Sequence, residues 1–200
     1  MQDIESIRRY WESELELGGR HGENVPIVTS PVETTWIWSD LHLSDCGALE
    51  AFDRGFADVA AMSRNLLAAW RRRVRPGDTI ICLGDVAHPD AWRDRRLVLD
   101  LRACPGERIL ILGNHDLNRD ALRGAGFTTQ HRVALYDAEP PLALSHEPLE
   151  AVPVGAVNVH GHRHDGTEPT HRHVNVAVER CGYEPVRMAA IAARALEQQG

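Results

Sequence analysis

The sequence predicts an α/β domain, and three observations carry that reading. Short apolar runs recur from Val32 onward, most of them lack polar alternation, and helical stretches lie between them. The runs are Thr35–Ser39 (TWIWS), Thr79–Leu83 (TIICL), Arg108–Leu112 (RILIL), Leu142–Ser145 (LALS), Ala156–His160 (AVNVH) and His173–Val178 (HVNVAV). Runs without alternation are expected of strands covered on both faces, and their interleaving with helices is the α/β pattern. At 200 residues and 43% apolar content, the chain is long enough for one compact domain with a sizeable core.

Residues 1 to about 20 read as an amphipathic helix, with Ile4, Ile7, Trp11 and Leu15 at helical spacing and Gly18-Gly19 as its stop. Such a helix packs on the domain or on a second copy, so it is a candidate homodimer element. The expected organisation is this helix and its connection over residues 1–25, then the main domain over 26–200. One helix carrying Phe52, Phe56, Val59, Leu66, Trp70 and Val74 should follow the first strand and close at Pro76-Gly77. Its Arg71-Arg72-Arg73 run reads as a solvated face. Further helices are expected over Trp92–Ala103, Asn118–Gly124 and, rich in alanine, Met188–Gln198.

Composition removes several function classes. A formal charge of −7 argues against a non-specific nucleic-acid binder, whose affinity comes mainly from cationic neutralisation of phosphates. All 22 basic residues are arginine, a bias that reflects composition rather than a phosphate fork. No stretch reaches the ~18 apolar residues of a membrane span, and residues 1–20 mix charged with apolar residues, which points to a cytoplasmic protein. Cys46, Cys82, Cys104 and Cys181 show no C-x-x-C spacing, so they read as reduced and mostly buried, without a disulfide framework or zinc knuckle. Histidine is the informative excess: 11 residues, clustered in the second half.

Five polar motifs sit at or just beyond the ends of apolar runs, where open α/β sheets place their ligand sites. They are Asp40-Leu41-His42, Gly84-Asp85, Gly113-Asn114-His115-Asp116, Ser145-His146 and Gly161-His162-Arg163-His164. Each alone is a common tripeptide or turn. The ordered set is informative because carboxylate oxygen, amide oxygen and imidazole nitrogen all bind borderline divalent metals. In D-x-H and H-x-H, alternate residues on extended backbone would turn both ligands to one side, with Leu41 as an anchor and Arg163 outside the ligand set. Gly84, Gly113 and Gly161 would let backbone approach an ion or substrate closely.

D-x-H, GD, GNHD, H and GHxH, in this order, resemble the calcineurin-like metallophosphoesterase family, over about Trp36 to Val178. The resemblance implies a four-layer α-β-β-α sandwich of two mixed sheets. It also implies one metal held by Asp40, His42, Asp85 and His164, and a second held by Asp85, Asn114, His146 and His162, with Asp85 bridging. His115 matches the family's histidine that protonates the leaving oxygen or stabilises its developing charge, and His88 the residue three positions after the bridging Asp that often supports it. The chain departs from the family pattern at Leu43-Ser44, where an apolar residue and glycine are usual. His171 and His173 lack a nearby carboxylate and read as exposed or strand-edge residues; His21, His131 and His160 have no assigned role.

The implied activity is hydrolysis of a phosphate ester by hydroxide held between two divalent cations, without a phosphoenzyme. A nitrogen-rich ligand set suits Mn²⁺ first, then Zn²⁺, Fe, Co or Ni, over Mg²⁺ or Ca²⁺. Short segments between motifs and an acidic chain favour a small phosphodiester or phosphomonoester, such as a nucleotide, over duplex nucleic acid. The competing reading is a catalytically silent binding module on the same fold.

Overall fold

The computed structural model of the protein describes residues 3–17 and 24–198; the Gly18-Gly19 helix stop and His21 fall outside them. Two five-stranded sheets lie face to face. The first has the order β10-β2-β3-β4-β5, built from β2 (Thr35–Trp38), β3 (Thr79–Cys82), β4 (Glu107–Ile111) and β5 (Thr129–His131) in parallel, with β10 (Val186–Arg187) antiparallel at the edge. The second has the order β1-β6-β7-β8-β9, from β1 (Ile27–Val28), β6 (Ala134–Tyr136), β7 (Leu142–Leu144), β8 (Val157–His160) and β9 (His173–Asn175), antiparallel only between β6 and β7. The expected sandwich of two mixed sheets is therefore present.

Side-chain alternation explains the layers. In β2, Trp36 and Trp38 point outward while Ile37 points into the sandwich; in β3, Ile80 and Cys82 go out and Ile81 goes in. The outward set packs against α3 (Val59–Arg73), α4 (Arg95–Arg102) and α5 (Arg119–Gly124), where Trp70 meets the Trp38 ring edge-on at 5.6 Å. The inward set meets Leu142, Leu144, Val157 and Val159 of the second sheet. The C-terminal helix α6 (Met188–Glu197) closes the side of this inner core through Met188 and Ile191. The N-terminal helix α1 (Ile4–Leu17) covers the outer face of the second sheet: Ile7 and Trp11 pack with Leu135 and Ala143, which completes the fourth layer. No helix among the described residues is long and apolar enough to cross a membrane.

Two expected helices are broken by aspartates that cap better than they propagate. The helix drawn through Phe52 to Val74 is in fact α2 (Cys46–Ala51) and α3, capped by Asp45 and Asp58. Between them Asp53 (φ 46°) and Gly55 (φ 67°) turn the chain left-handed. The helix drawn over Trp92–Ala103 is a 3-10 turn, Pro89–Arg93, followed by α4, which Asp94 caps. Four strands of two or three residues, β1, β5, β6 and β10, lie outside the expected runs, too short to carry a periodic signal. Cys82 and Cys104 are buried as expected, Cys181 is half-buried and Cys46 is exposed.

Because Trp11 is only 3% exposed against the domain's own sheet, Trp11→Ala is expected to cost about 3–5 kcal/mol. A lowered urea midpoint with an unchanged solution mass is the expected result; loss of a dimer instead would mean that the helix packs on a second copy.

Candidate metal centre

All five motifs converge at the C-terminal edges of the two sheets. Parallel register aligns Trp38 with Cys82 and Cys82 with Leu110, so Asp40, Asp85 and Asn114 emerge side by side from β2, β3 and β4. His146 and His162 emerge likewise from β7 and β8 of the facing sheet. The two edges are stitched together: Ser39 bridges to Ala177, and the His162 N–H donates to Asp40 Oδ2 at 2.9 Å.

The backbone here is not extended, which corrects the alternation argument for D-x-H and H-x-H. Asp40 (φ 60°), His42 (φ 47°), Asp85 (φ 53°) and His162 (φ 65°) are all left-handed. Non-glycine residues in that region cost roughly 1–2 kcal/mol each, so the surroundings must hold them there. They do: the Asp40 and His42 N–H groups donate to the Gly84 and Asp85 carbonyls at 3.0 and 2.9 Å. Asp116 Oδ2 accepts from the Asp85 and Gly113 N–H groups at 2.8 and 2.9 Å. The approach is close enough to require glycine: a Cβ on Gly113 would strike Asp85 Oδ1, and one on Gly161 would strike Ser39 Oγ and Asp40 Oδ2.

The donor atoms form two overlapping groups. His164 Nε2 lies 3.6 Å from Asp40 Oδ1, and His42 Nε2 lies 3.5 Å from Asp85 Oδ2. The same Asp85 Oδ2 is 3.4 Å from His146 Nε2, around which Asn114 Oδ1 and His162 Nδ1 stand at 3.0 and 3.2 Å. Asp40, His42 and His164 can share one ion, as can Asp40, Asp85 and His146. Asp40 Oδ1 and His42 Nε2 are buried and have no hydrogen-bond partner, which is the mark of a site built around a cation. The residues present therefore fit divalent metal.

The outer nitrogens of three of these rings are already committed. His146 Nδ1–H donates to the Leu83 carbonyl at 2.7 Å, His42 Nδ1 pairs with Asp45 Oδ2 at 3.0 Å, and His164 Nδ1 pairs with Glu179 Oε1 at 3.0 Å. Each contact fixes a tautomer whose bare Nε2 faces inward, the usual arrangement behind metal-binding histidines. Phe52 stacks on the His164 ring at 3.6 Å between centroids. Beneath them Arg54, whose side chain is wholly buried, forks to Glu179 Oε1 (2.8 Å from Nε), to the Asp40 carbonyl (2.8 Å) and to the Leu41 carbonyl (2.9 Å).

Sequence reasoning missed Asp45, Glu179, Arg54 and the task of Asp116. Asp45 lies three residues after His42 and Asp116 lies inside the GNHD motif, so local spacing held a signal for both. Nothing local marks Arg54 and Glu179, which are 125 residues apart. His88 stands three residues after Asp85; its Nδ1 accepts from the Asp90 N–H at 3.2 Å and caps the 3-10 turn. His115 stays beside the cluster, its ring 5.1 Å from that of His42 and its N–H on Asp85 Oδ1 at 2.9 Å. Its ring also groups with His42 and Asp45. Leu41 is buried and Arg163 exposed, as the motif reading expects. His171 is exposed, but His173, on edge strand β9, is buried and bonds the Leu149 carbonyl at 2.9 Å. His131 and His160 bring no atom to the cluster's ligand groups; burial pushes the His160 imidazole down to about 4.

Electrostatics show a site short of positive charge. Burial alone would raise the Asp85 carboxyl, yet His146, the His115 N–H and His42 hold it down at about 2. Burial opposes protonation of His146, but the hydrogen bond to Asp85 and the charges of Asp40 and Asp85 push it up to about 9. Without a cation, a proton on His146 supplies the missing charge. His42 is lowered by burial despite Asp85 and Asp40, so it offers a neutral nitrogen.

The fold and the cluster define a class: α-β-β-α sandwiches with a carboxylate and imidazole site on the shared edge of their sheets. Within it, the chain belongs to the calcineurin-like phosphoesterase family, whose model matches residues 34–183. Membership makes phosphoester hydrolysis its activity class. The chain is 25% identical over 164 residues to the uncharacterized protein MJ1445 of Methanocaldococcus jannaschii, covering 78% of this chain and 88% of that one. It is 34% identical over 100 residues to the Gene 66 protein of Mycobacterium phage L5, which spans 48% of this chain and 47% of the phage protein. The solved structure of AQ665, a protein of unknown function from Aquifex aeolicus, superposes with a TM-score of 0.62 at 20% identity, covering 78% of this chain and 96% of that one. It shares the fold.

Arg54→Gln leaves the Asp40 and Leu41 carbonyls and the half-buried Glu179 without their fork, and is expected to cost about 3–5 kcal/mol in urea unfolding. Arg54→Lys should recover little of this, since an ammonium cannot reproduce the planar fork. A neutral Arg54→Gln variant would show that the turn at Asp40 holds itself.

Proposed function

We propose that the protein is a dinuclear metal-dependent phosphoesterase acting on a small phosphodiester or phosphomonoester. The observation that carries this reading is Asp85 Oδ2, which lies 3.5 Å from His42 Nε2 and 3.4 Å from His146 Nε2 and so faces both halves of the cluster. Asp40, His42, Asp85 and His164 would hold one ion; Asp85, Asn114, His146 and His162 would hold the other. Asn114 contributes a neutral oxygen, which limits the negative charge gathered at the site. Mn²⁺ is the first choice for this mixed nitrogen and oxygen set, with Zn²⁺, Fe, Co or Ni next. When bound, two such cations activate water and polarise the phosphoryl oxygens.

The chain's own residues supply the rest. His115 stands beside the cluster in an open hollow and donates a proton to the departing oxygen. Asp45, Glu179 and the Leu83 carbonyl keep the His42, His164 and His146 rings turned inward. His88, which caps the turn after Asp85, holds the position that supports His115. Burial raises the Cys82 thiol to about 12, so it plays no nucleophilic part.

A panel of monoester, linear diester and cyclic nucleotide with Mn²⁺ tests the reading. Wild type should bind two Mn²⁺ and turn over at least one ester class, whereas Asp85→Ala should lose both metal stoichiometry and turnover; wild-type metal without turnover would favour a silent binding module.

His115→Ala should keep both metals and lose ~10²–10⁴-fold in rate on an alkyl or nucleoside ester, with a smaller loss on a nitrophenyl ester, because an activated phenolate leaves without a proton. Equal losses on both would assign His115 to charge stabilisation, and a missing metal would make it a ligand.

A further inference from the structure

Two hollows meet at the cluster, and their division bears on the substrate. The larger, about 980 Å³, opens over His42, Asp85, His115 and Phe52. The smaller, about 670 Å³, lies on the other side of Asn114, over Arg119, Arg132 and Leu149. They share Asn114, Glu147, Pro148 and Glu150. A monoester has a single organic arm and fills a single hollow. A site with a hollow on each side of the reacting phosphorus fits a diester, and each is within the ~300–1,000 Å³ of small-molecule pockets.

His115 lines only the larger hollow, so on the hydrolytic reading the leaving oxygen departs there. Water adds to phosphorus and gives up one proton to solvent, the bond from phosphorus to the leaving oxygen breaks as the His115 proton goes to that oxygen, and solvent returns a proton to His115. The products are an alcohol in the larger hollow and a monoester whose remaining arm lies in the smaller one. That smaller hollow is lined by Arg119 and Arg132 and by Glu147 and Glu150, two formal charges of each sign. Its other acid, Asp116, is spent on three backbone N–H groups. Balanced formal charges do not select a further phosphate, but they supply both donors and acceptors for hydroxyls and base edges. Leu117, 76% exposed, and Leu149 add apolar surface of the kind a flat ring covers.

We infer that the smaller hollow is a subsite for the retained arm of a phosphodiester, an uncharged nucleoside. This rests on the proposed hydrolysis, and the test separates the two. Methyl, phenyl and thymidine 5′-esters of 4-nitrophenyl phosphate share a leaving group and charge and differ only in the retained arm. With Mn²⁺, kcat/KM for the thymidine ester should exceed that for the methyl ester by about tenfold or more, consistent with one or two added polar contacts. Arg119→Ala should remove most of that ratio. Equal rates for methyl and thymidine esters, a phenyl ester as good as the thymidine ester, or an unchanged ratio in Arg119→Ala would each overturn the subsite. Failure to release nitrophenolate from any ester would overturn the hydrolytic reading instead. Calorimetric titration of thymidine 5′-monophosphate into the Mn²⁺-loaded protein then judges the subsite alone: roughly tenfold weaker binding by Arg119→Ala supports it, and equal binding rejects it.

Discussion

The carboxylate of Asp40 ties the two sheets together. It hangs from the end of β2 in one sheet, and its Oδ2 accepts the N–H of His162, which follows β8 in the other, at 2.9 Å. That contact explains Gly161, whose Cβ would stand where the carboxylate lies, and the positive φ of both partners. Arg54 on the Asp40 carbonyl and the Gly84 carbonyl on the Asp40 N–H keep the residue from relaxing into an extended chain. With one oxygen used in the tie, the other faces His164 Nε2 with no donor of its own.

Two carboxylates buried to 0% and 2% exposure would be costly without compensation, because removing charge from water costs several kcal/mol per group. Part of the compensation is backbone, through the His162 N–H on Asp40 and the His115 N–H on Asp85. Without a cation a proton on His146 supplies a further part, but His42 and His164 add none, since Asp45 and Glu179 draw their Nδ1 protons outward. The interior thus gathers lone pairs with a shortage of protons, and a cation is the species that satisfies it. Asp45 does this while its other oxygen caps α2, so the helix start and the His42 tautomer share one carboxylate.

The fold was legible where burial on both faces leaves no choice of residue, as in Thr35–Trp38 and Thr79–Cys82, and the residues that meet at the candidate centre were legible because each motif is compact. The left-handed turns were not, since Asp and His do not announce a positive φ as glycine does. Nor was the break between α2 and α3. Phe52 and Phe56 continue the apolar period of the helix, but they face His164 and Tyr183 from a loop. Strands such as β1 and β10, two residues each, exist through pairing with neighbours rather than through any local pattern. The Arg54–Glu179 pair depends on the finished topology.

That loop makes the two halves of the cluster unequal. His164 is gripped on its face by Phe52 and at its edge by Glu179, which Arg54 holds in turn, and His42 is buried against Asp45. These rings lose little freedom when an ion arrives. In the other half, His146 is fixed by the Leu83 carbonyl, but Asn114 and His162 are exposed and reach it only through their own side-chain atoms. The rigid half lies under the α2–α3 loop, and the open half is the one that both hollows border at Asn114. A group entering through the larger hollow meets both halves, the braced one at His42 and His164 and the adaptable one at Asn114 and His162.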